Sequence, residues 1–318
     1  MSPTPDIDGV LIQWGDRLFY PGNRIVKTQP QPKLGTLAAR QRAAALRERI
    51  AATVVRRAPQ VMVKVTGGGR GMKAIAAHLR YISRGGRLEM EDERGQTMRG
   101  KDALHELADD WRYGGSLIED TSLRREAFNI MLSMPRGTDP LSVQWAAREF
   151  AKAELADHKL VMVLHDHQAN PHVHLSVRAE SRHGKRLNPR KTDLHRWRET
   201  FAAKLRERGI DAEATRQATR GVTRNHPQLW QVKAAEQGRL LRPRSRHRRG
   251  AAAAASRAEA QRAWQGIGAA LANSGDPDDR KLAAAIERFS REMAPSGQRE
   301  FPAPTQSRPP GPEVDRSR

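Results

Sequence analysis

Leu164-His-Asp-His-Gln-Ala-Asn-Pro-His-Val-His-Leu175 gathers four of the chain's 11 histidines, His165, His167, His172 and His174, within ten positions. From His172 onward polar and apolar residues alternate: His172, His174, Ser176 and Arg178 share one face, and Val173, Leu175 and Val177 take the other. A period of two is the signature of a half-buried strand. Asn170-Pro171 is a turn signal, and the apolar run Lys159–His165 before it reads as a central strand that forms a hairpin with the histidine strand. The hairpin sets two imidazoles side by side and folds His165 or His167 over the same point. A lone histidine reads as a surface or core residue. A His-x-His pair on one strand face with two more just upstream reads as a divalent-ion site.

Working outward, Val61–Thr66 is β-branched and alternating, and Glu126–Met134 places Phe128, Ile130, Leu132 and Met134 on one face; both read as strands. Met72–Arg84 reads as a helix with Met72, Ile75, Leu79 and Ile82 on its buried side. His78 and Tyr81, three residues apart, share an adjacent face, and Arg80, Arg84 and Arg87 surround the tyrosine. Gly67-Gly-Gly-Arg-Gly71 joins the first strand to this helix. Such a cluster can expose backbone N–H groups to phosphate, but the Gly-Lys-Ser/Thr ending of a nucleotide-hydrolysing loop is missing. Leu88–Gly100 reads as a loop, Asp102–Arg112 as a helix, and Asp139-Pro140 as the capped start of another helix reaching about Ala156. Gly184–Asn188 reads as a short strand, and Asp193 as the cap of a helix burying Leu194, Trp197, Phe201 and Leu205.

The expected fold is therefore α+β: a central, mainly antiparallel twisted sheet with helices packed on one face, plus a basic, helical and partly disordered C-terminal tail. The expected division is an N-terminal extension over residues 1–59, a core domain over 60–222 and a basic, Ala/Arg-rich tail over 223–318. Leu37–Arg57 is helical in that extension, Arg242–Arg249 is a basic run, and Pro302–Arg318 reads as disordered.

The net charge is +21 over 318 residues, which points to a polyanion, with nucleic acid ahead of a membrane surface. Between Glu180 and Arg249, 20 Lys/Arg face 7 Asp/Glu, more concentration than an ordinary solvated face needs. No run approaches the length of a membrane span, the first residues do not read as a signal peptide, and the chain has no cysteine. Insertion into a membrane is not expected, and the chain reads as cytoplasmic.

A tyrosine among arginines, a histidine metal cluster and a surplus of positive charge together describe phosphoryl transfer from a nucleic-acid backbone to a protein oxygen. At this point the chain resembles a family. His78-Leu-Arg-Tyr-Ile-Ser-Arg-Gly85, Leu132-Ser-Met-Pro-Arg-Gly-Thr138 and His165–His174 are similar, in this order, to the three motifs of plasmid conjugative relaxases. The resemblance is to the T-DNA border endonuclease branch of the His-hydrophobic-His single-strand endonucleases, and it covers roughly Val61–Gly221.

The resemblance implies a bacterial enzyme that nicks one strand at a plasmid transfer origin through a 5'-phosphotyrosyl intermediate, with Mg²⁺ or Mn²⁺ as cofactor. It implies Tyr81 as nucleophile, His172 and His174 as metal ligands, His165 as the first histidine of the third motif, and Ser133 as a DNA contact near the nick. The family often has an acidic residue two places after that first histidine, where this chain has His167 beside Asp166. The third ligand and the proton acceptor thus lie among His165, Asp166 and His167, with His165 favoured as ligand and Asp166 or His167 in support. Candidate phosphate contacts are Arg70, Lys73, Arg84, Arg178, Arg182, Lys185, Arg190 and Lys191. Implied partners are single-stranded DNA, relaxosome accessory proteins and the secretion coupling protein, with translocation alongside the transferred strand. Two rivals stand beside this reading: a rolling-circle initiator or transposase of the same chemistry, and a non-catalytic DNA-binding accessory protein.

Overall fold

A computed structural model describes residues 6–19, 35–167, 169–222, 234–235, 237–239 and 250–293. Eight helices and six strands occur among them: α1 (Ile7–Phe19), α2 (Leu37–Val54), β1 (Met62–Gly67), α3 (Met72–Ile82), β2 (Met90–Asp92), β3 (Thr97–Met98), α4 (Lys101–Tyr113), β4 (Ala127–Ser133), α5 (Pro140–Glu154), β5 (His158–His165), β6 (His172–Ser181), α6 (Lys191–Glu207), α7 (Ala251–Ala272) and α8 (Pro277–Met293). The strands form one open sheet in the order β1-β4-β6-β5-β2-β3, with every neighbouring pair antiparallel. This is the α+β architecture expected from the sequence.

Strand parity decides which residues meet which helices. Val63, Phe128, Ile130, Leu132, Leu160, Met162, Val173, Leu175 and Val177 point to one face and pack against α5 and α6. Ala127, Val161 and Val163, one residue out of phase with these, point to the other face and pack against α3 and α4. Helices therefore cover both faces, where the sequence suggested one. The amphipathic spacing of α3 and α4 shows that each buries a stripe, but not which side of the sheet receives it. For the same reason β6 is buried on both faces rather than half-buried: it is an inner strand, and its polar face lies beneath α3.

The charged segment Leu88–Gly100 is no plain loop. It forms the short β2–β3 hairpin, and β2 extends the sheet beyond β5. Two or three residues per strand are too few to show a period of two. Gly184–Asn188 contributes only an isolated bridge, Glu180 to Arg186. Asp139 caps α5 as expected, accepting from Ser142 N at 2.8 Å. Asp193 sits inside α6 rather than before it: Arg190 is the cap, and the Asp193 carboxylate accepts from Arg190 N at 2.9 Å.

The two chain ends also differ from a free extension and a free tail. Leu11, Ile12, Leu18 and Phe19 of α1 and Leu46 and Ile50 of α2 share an apolar core with Trp264, Ile267 and Leu271 of α7 and Ile286 and Phe289 of α8. This helical unit is fastened to α6 and to the segment that follows it. Thr219 Oγ1 donates to Leu18 O at 2.8 Å, Trp264 Nε1 donates to Thr219 O at 2.8 Å, and Arg49 reaches Glu199 at 2.7 Å. Sequence separation hid the pairing, because the helix pair at one end of the chain completes its core with the pair at the other, some 200 residues away. The basic run Arg242–Arg249 and the segment Pro302–Arg318 lie outside the described residues.

Within that unit Arg47 of α2 holds Asp279 of α8 at 2.8 Å, and Ser274 Oγ donates to the same carboxylate at 2.9 Å. Burial alone would raise the Asp279 value. The hydrogen bonds from Arg47 and Ser274 outweigh it and leave the carboxyl below the usual aspartate range. A depressed folded-state value means that the stabilisation is present above the unfolded value of about 3.9 and is lost as pH falls through the folded one. The expected result is that Asp279→Asn weakens acid resistance at pH 5 and flattens the acid limb of a urea-midpoint titration below about pH 4. An unchanged acid limb in the variant would place the acid lability elsewhere.

Candidate active site

The register of the two longest pairings builds the site. His165 of β5 lies directly opposite His172 of β6, and His174 is paired with Val163 on one side and Met131 on the other. The three histidines share the face covered by α3, and their rings are 4.7–5.1 Å apart between centroids. One nitrogen from each lies within 4.8 Å of the other two, and all three side chains are buried.

Hydrogen bonds fix two of the tautomers. His165 Nε2 lies 2.7 Å from Ile82 O, so it carries the proton and leaves Nδ1 as a lone pair. His172 Nδ1 lies 2.9 Å from Asn170 O and leaves Nε2 open. Carbonyl-bound outer nitrogens of this kind orient imidazoles that ligate metals. His174 Nδ1 is buried without a hydrogen-bond partner, which is costly unless a ligand occupies it. Burial, followed by the neighbouring His165, His172 and His78 rings, pushes the His174 value down to about 3. Burial also lowers His165, against the opposing effect of its bond to Ile82 O. Both rings are therefore neutral at pH 7 and present lone pairs. The donor set fits a first-row transition ion, whereas Mg²⁺ prefers oxygen ligands.

Tyr81 stands over this cluster. It is the last residue but one of α3, it is 67% exposed, and its ring lies 6.4 Å from His174 and 6.3 Å from His78. The helix is steered there by glycines that close packing requires. A Cβ on Gly68 would lie 2.3 Å from Ala127 O, and one on Gly71, at φ +94°, would lie 2.4 Å from Asp120 O. These glycines do not form a phosphate cradle: Met72 N and Lys73 N are already bonded to Glu119 O and Asp120 O.

The remaining expected site residues divide by position. Arg84 has a left-handed backbone, φ 52°, and its guanidinium donates to Nε2 of His167, whose ring lies 5.2 Å from that of His165. Because arginine can only donate, that His167 nitrogen serves as an acceptor. Asp166 is exposed beside it and is not among the clustered ligands. Arg70 and Lys73 are exposed at the start of α3. Ser133 is buried, and its hydroxyl lies 3.3 Å from Pro171 O, tying β4 to the turn before His172 rather than facing a substrate.

Arg178 is corrected outright. It is 4% exposed, and it donates to Trp111 O at 2.8 Å, to Gly114 O and to Ser116 O, ending α4 and not meeting phosphate. Its place on the histidine face is real, but α4 covers that part of the face. Arg182, Lys185, Arg190 and Lys191 are exposed beyond the far end of β6. Arg182 is eight residues past His174, about 26 Å along a strand, and it is paired with Asp157 at 2.7 Å. These four are remote from the histidines. Arg178→Met is expected to lower stability by about 2–3 kcal/mol, since it strands carbonyls that the guanidinium satisfied. Thermal unfolding by circular dichroism checks this, and an unshifted midpoint would contradict the structural role.

His78 was left out of the expected site. Its Nε2 is buried without a partner, and burial lowers its value to about 4. Its ring also lies 6.4 Å from that of His174. The signal was its position three residues before Tyr81 on the same helix.

Residues 81–210 match the model of the relaxase family described as the MobA/VirD2-like nuclease domain. This segment is similar to the relaxase family. The match begins at Tyr81 and takes in β2 to α6, including the whole histidine hairpin. The T-DNA border endonuclease VirD2 of Agrobacterium fabrum is 26% identical to this chain over 186 residues, covering 52% of this chain and 41% of that protein. The chain thus spans about two fifths of the length of the curated relative it matches. Among the described residues of the chain, no helix is long and apolar enough to cross a membrane.

Proposed function

We propose that this chain nicks single-stranded DNA at a transfer origin by transesterification onto Tyr81. The observation that carries the reading is the exposed phenol set 6.4 Å, ring to ring, from a buried three-histidine cluster. The Tyr81 oxygen bonds to the scissile phosphorus, the bond from phosphorus to the 3'-oxygen breaks, and the leaving oxygen departs as a 3'-hydroxyl. The 5'-phosphotyrosyl bond conserves the energy of the broken phosphodiester, so the reverse attack rejoins the strand.

His165, His172 and His174 would hold a divalent ion, Mn²⁺ suiting three nitrogen donors better than Mg²⁺. Such an ion supplies charge neutralisation at the phosphate oxygens. The chain's own residues orient and activate the phenol. α3 fixes the ring, and Arg80 before it and Arg84 after it in the chain are cations available to the phosphate. The phenolic proton passes to an imidazole, for which His78 offers an unpartnered ring nitrogen, while His167 is engaged by Arg84. Accessory proteins, a secretion coupling protein and export of the protein with the strand belong to the same reading.

The test uses end-labelled single strands from the transfer-origin region of the plasmid encoding the chain, incubated with protein and Mn²⁺ or Mg²⁺ and run on a denaturing protein gel. Label is expected to migrate with the protein only when metal is present. Cleavage to free ends without any adduct would mean a hydrolytic nuclease, and binding without cleavage would mean an accessory DNA-binding protein.

A further inference from the structure

The face of the sheet that carries the histidines is only partly covered. α3 and α4 lie over β6, β5, β2 and the Ala127 end of β4, while among the described residues the same face of β1, and of β4 at Asn129 and Met131, is open. Lys64 pairs with Met131, which pairs with His174; Met62 pairs with Ser133, which pairs with His172. Paired residues share a face, so Met62 and Lys64 continue the histidine rows outward across Ser133 and Met131, and a bulge at Thr66 brings Gly67 opposite Asn129. Met62 is 44% exposed, Lys64 and Thr66 are exposed, and Asn129 and Met131 are half-buried. Two strand spacings, about 10 Å, separate Lys64 from His174.

The charge on this surface is one-sided. No acidic residue lies in β1 or β4 or anywhere along α3, and Glu180, at the far end of the histidine face of β6, is engaged by Ser116 and Arg186. Among the described residues, Lys64, Lys73 and Arg80 form no ion pair, unlike Arg112, Lys159 and Lys204, which are paired with Asp120, Asp110 and Glu207. An exposed methionine, a half-buried methionine and an unneutralised lysine in one row make a surface that takes an apolar, flat group beside an anion. Methionine adapts to any base face, and a lysine meets a phosphate as a point charge.

We propose that the open face of β1 and β4 is the track along which the single strand reaches Tyr81, with Lys64 on a backbone phosphate and Met62 and Met131 against a base. This rests on the nicking reading for the identity of the strand, but it makes a separate claim about where the strand lies. Asn129, half-buried on this face with an amide that offers both a donor and an acceptor, is the side chain placed to read a base edge.

The test is fluorescence anisotropy of the full chain with a fluorescein-labelled mixed-sequence 30-nucleotide single strand in EDTA, over a salt series. Lys64→Glu is expected to weaken binding at least about tenfold and to lower the salt slope by about one. Lys281→Glu, an exposed charge reversal on α8, is the control and is expected to match wild type. A 4-thiothymidine-substituted strand is expected to cross-link to the peptide holding Met62 or to the one holding Met131. Lys64→Glu binding within twofold of wild type, or cross-links confined to other peptides, would overturn the track. The nicking reading is judged independently by adduct formation in the wild-type chain: a chain that forms the adduct equally well with Lys64→Glu keeps the chemistry and loses the track.

Discussion

Tyr81→Phe is expected to eliminate the covalent protein–DNA adduct altogether, while leaving single-strand affinity within about twofold of wild type, because phosphate contacts carry most of that affinity. The substitution removes one oxygen and keeps the ring, so the packing against His78 and His174 at 6.3 and 6.4 Å survives. At 67% exposure the hydroxyl supports no buried network whose loss could unfold the helix. The effect is a complete loss rather than a fractional one, since no other atom of that side chain can form the bond to phosphorus.

The chain has three tyrosines, which makes the control simple. Tyr113 is equally exposed, at 67%, but it ends α4 near the Arg178 end of β6, about 13 Å along the strand from His174. Tyr113→Phe is therefore expected to form adduct at the wild-type rate. Both variants are compared on the same labelled strand by denaturing gel. Adduct that persists in Tyr81→Phe and disappears in Tyr113→Phe would reassign the nucleophile and with it the site.

The parts of this molecule that could be read from its sequence are those where local pattern and tertiary role coincide. The histidine hairpin is one: its period of two, its turn and its chemistry lie between Lys159 and Arg178, and the register that joins His165 to His172 follows from the turn. The Asp139 cap and the buried stripe of α3 are others, each set by contacts three or four residues apart. Arg178 was misassigned because alternation gives a residue's face and not what lies over that face. Its burial depends on the end of α4, more than sixty residues earlier.

The same reason hides the helical unit. α1 and α2 have their apolar partners in α7 and α8, and nothing in either stretch names the other. His78 shows a subtler limit. Its spacing from Tyr81 was legible, yet whether a buried imidazole is bonded or orphaned depends on atoms from other elements, and here Nε2 has no partner. Metal geometry was legible as residue types; the choice of nitrogen on each ring required the carbonyls of Ile82 and Asn170.

His174→Gln is expected to reduce divalent-ion affinity by more than about 100-fold, since loss of an outer-shell hydrogen bond alone costs 10–100-fold and this change removes a ligand. Its effect without metal should be slight. His174 Nδ1 has no hydrogen bond to lose, and the ring is neutral at pH 7 with its value pushed down to about 3 by burial. Glutamine keeps much of the volume between Met131 and Val163. The two states therefore separate the roles of ligand and core residue. Saturating metal at 100 times its dissociation constant stabilises the wild-type fold by about 2.7 kcal/mol, which a thermal-shift titration with Mn²⁺ reads as a rise in midpoint. In His174→Gln the metal-free midpoint should stay near wild type and the rise should vanish, along with adduct formation on a labelled strand. A metal-free midpoint that collapses would make His174 a structural residue first, and a rise of wild-type size would place the ion away from the three histidines.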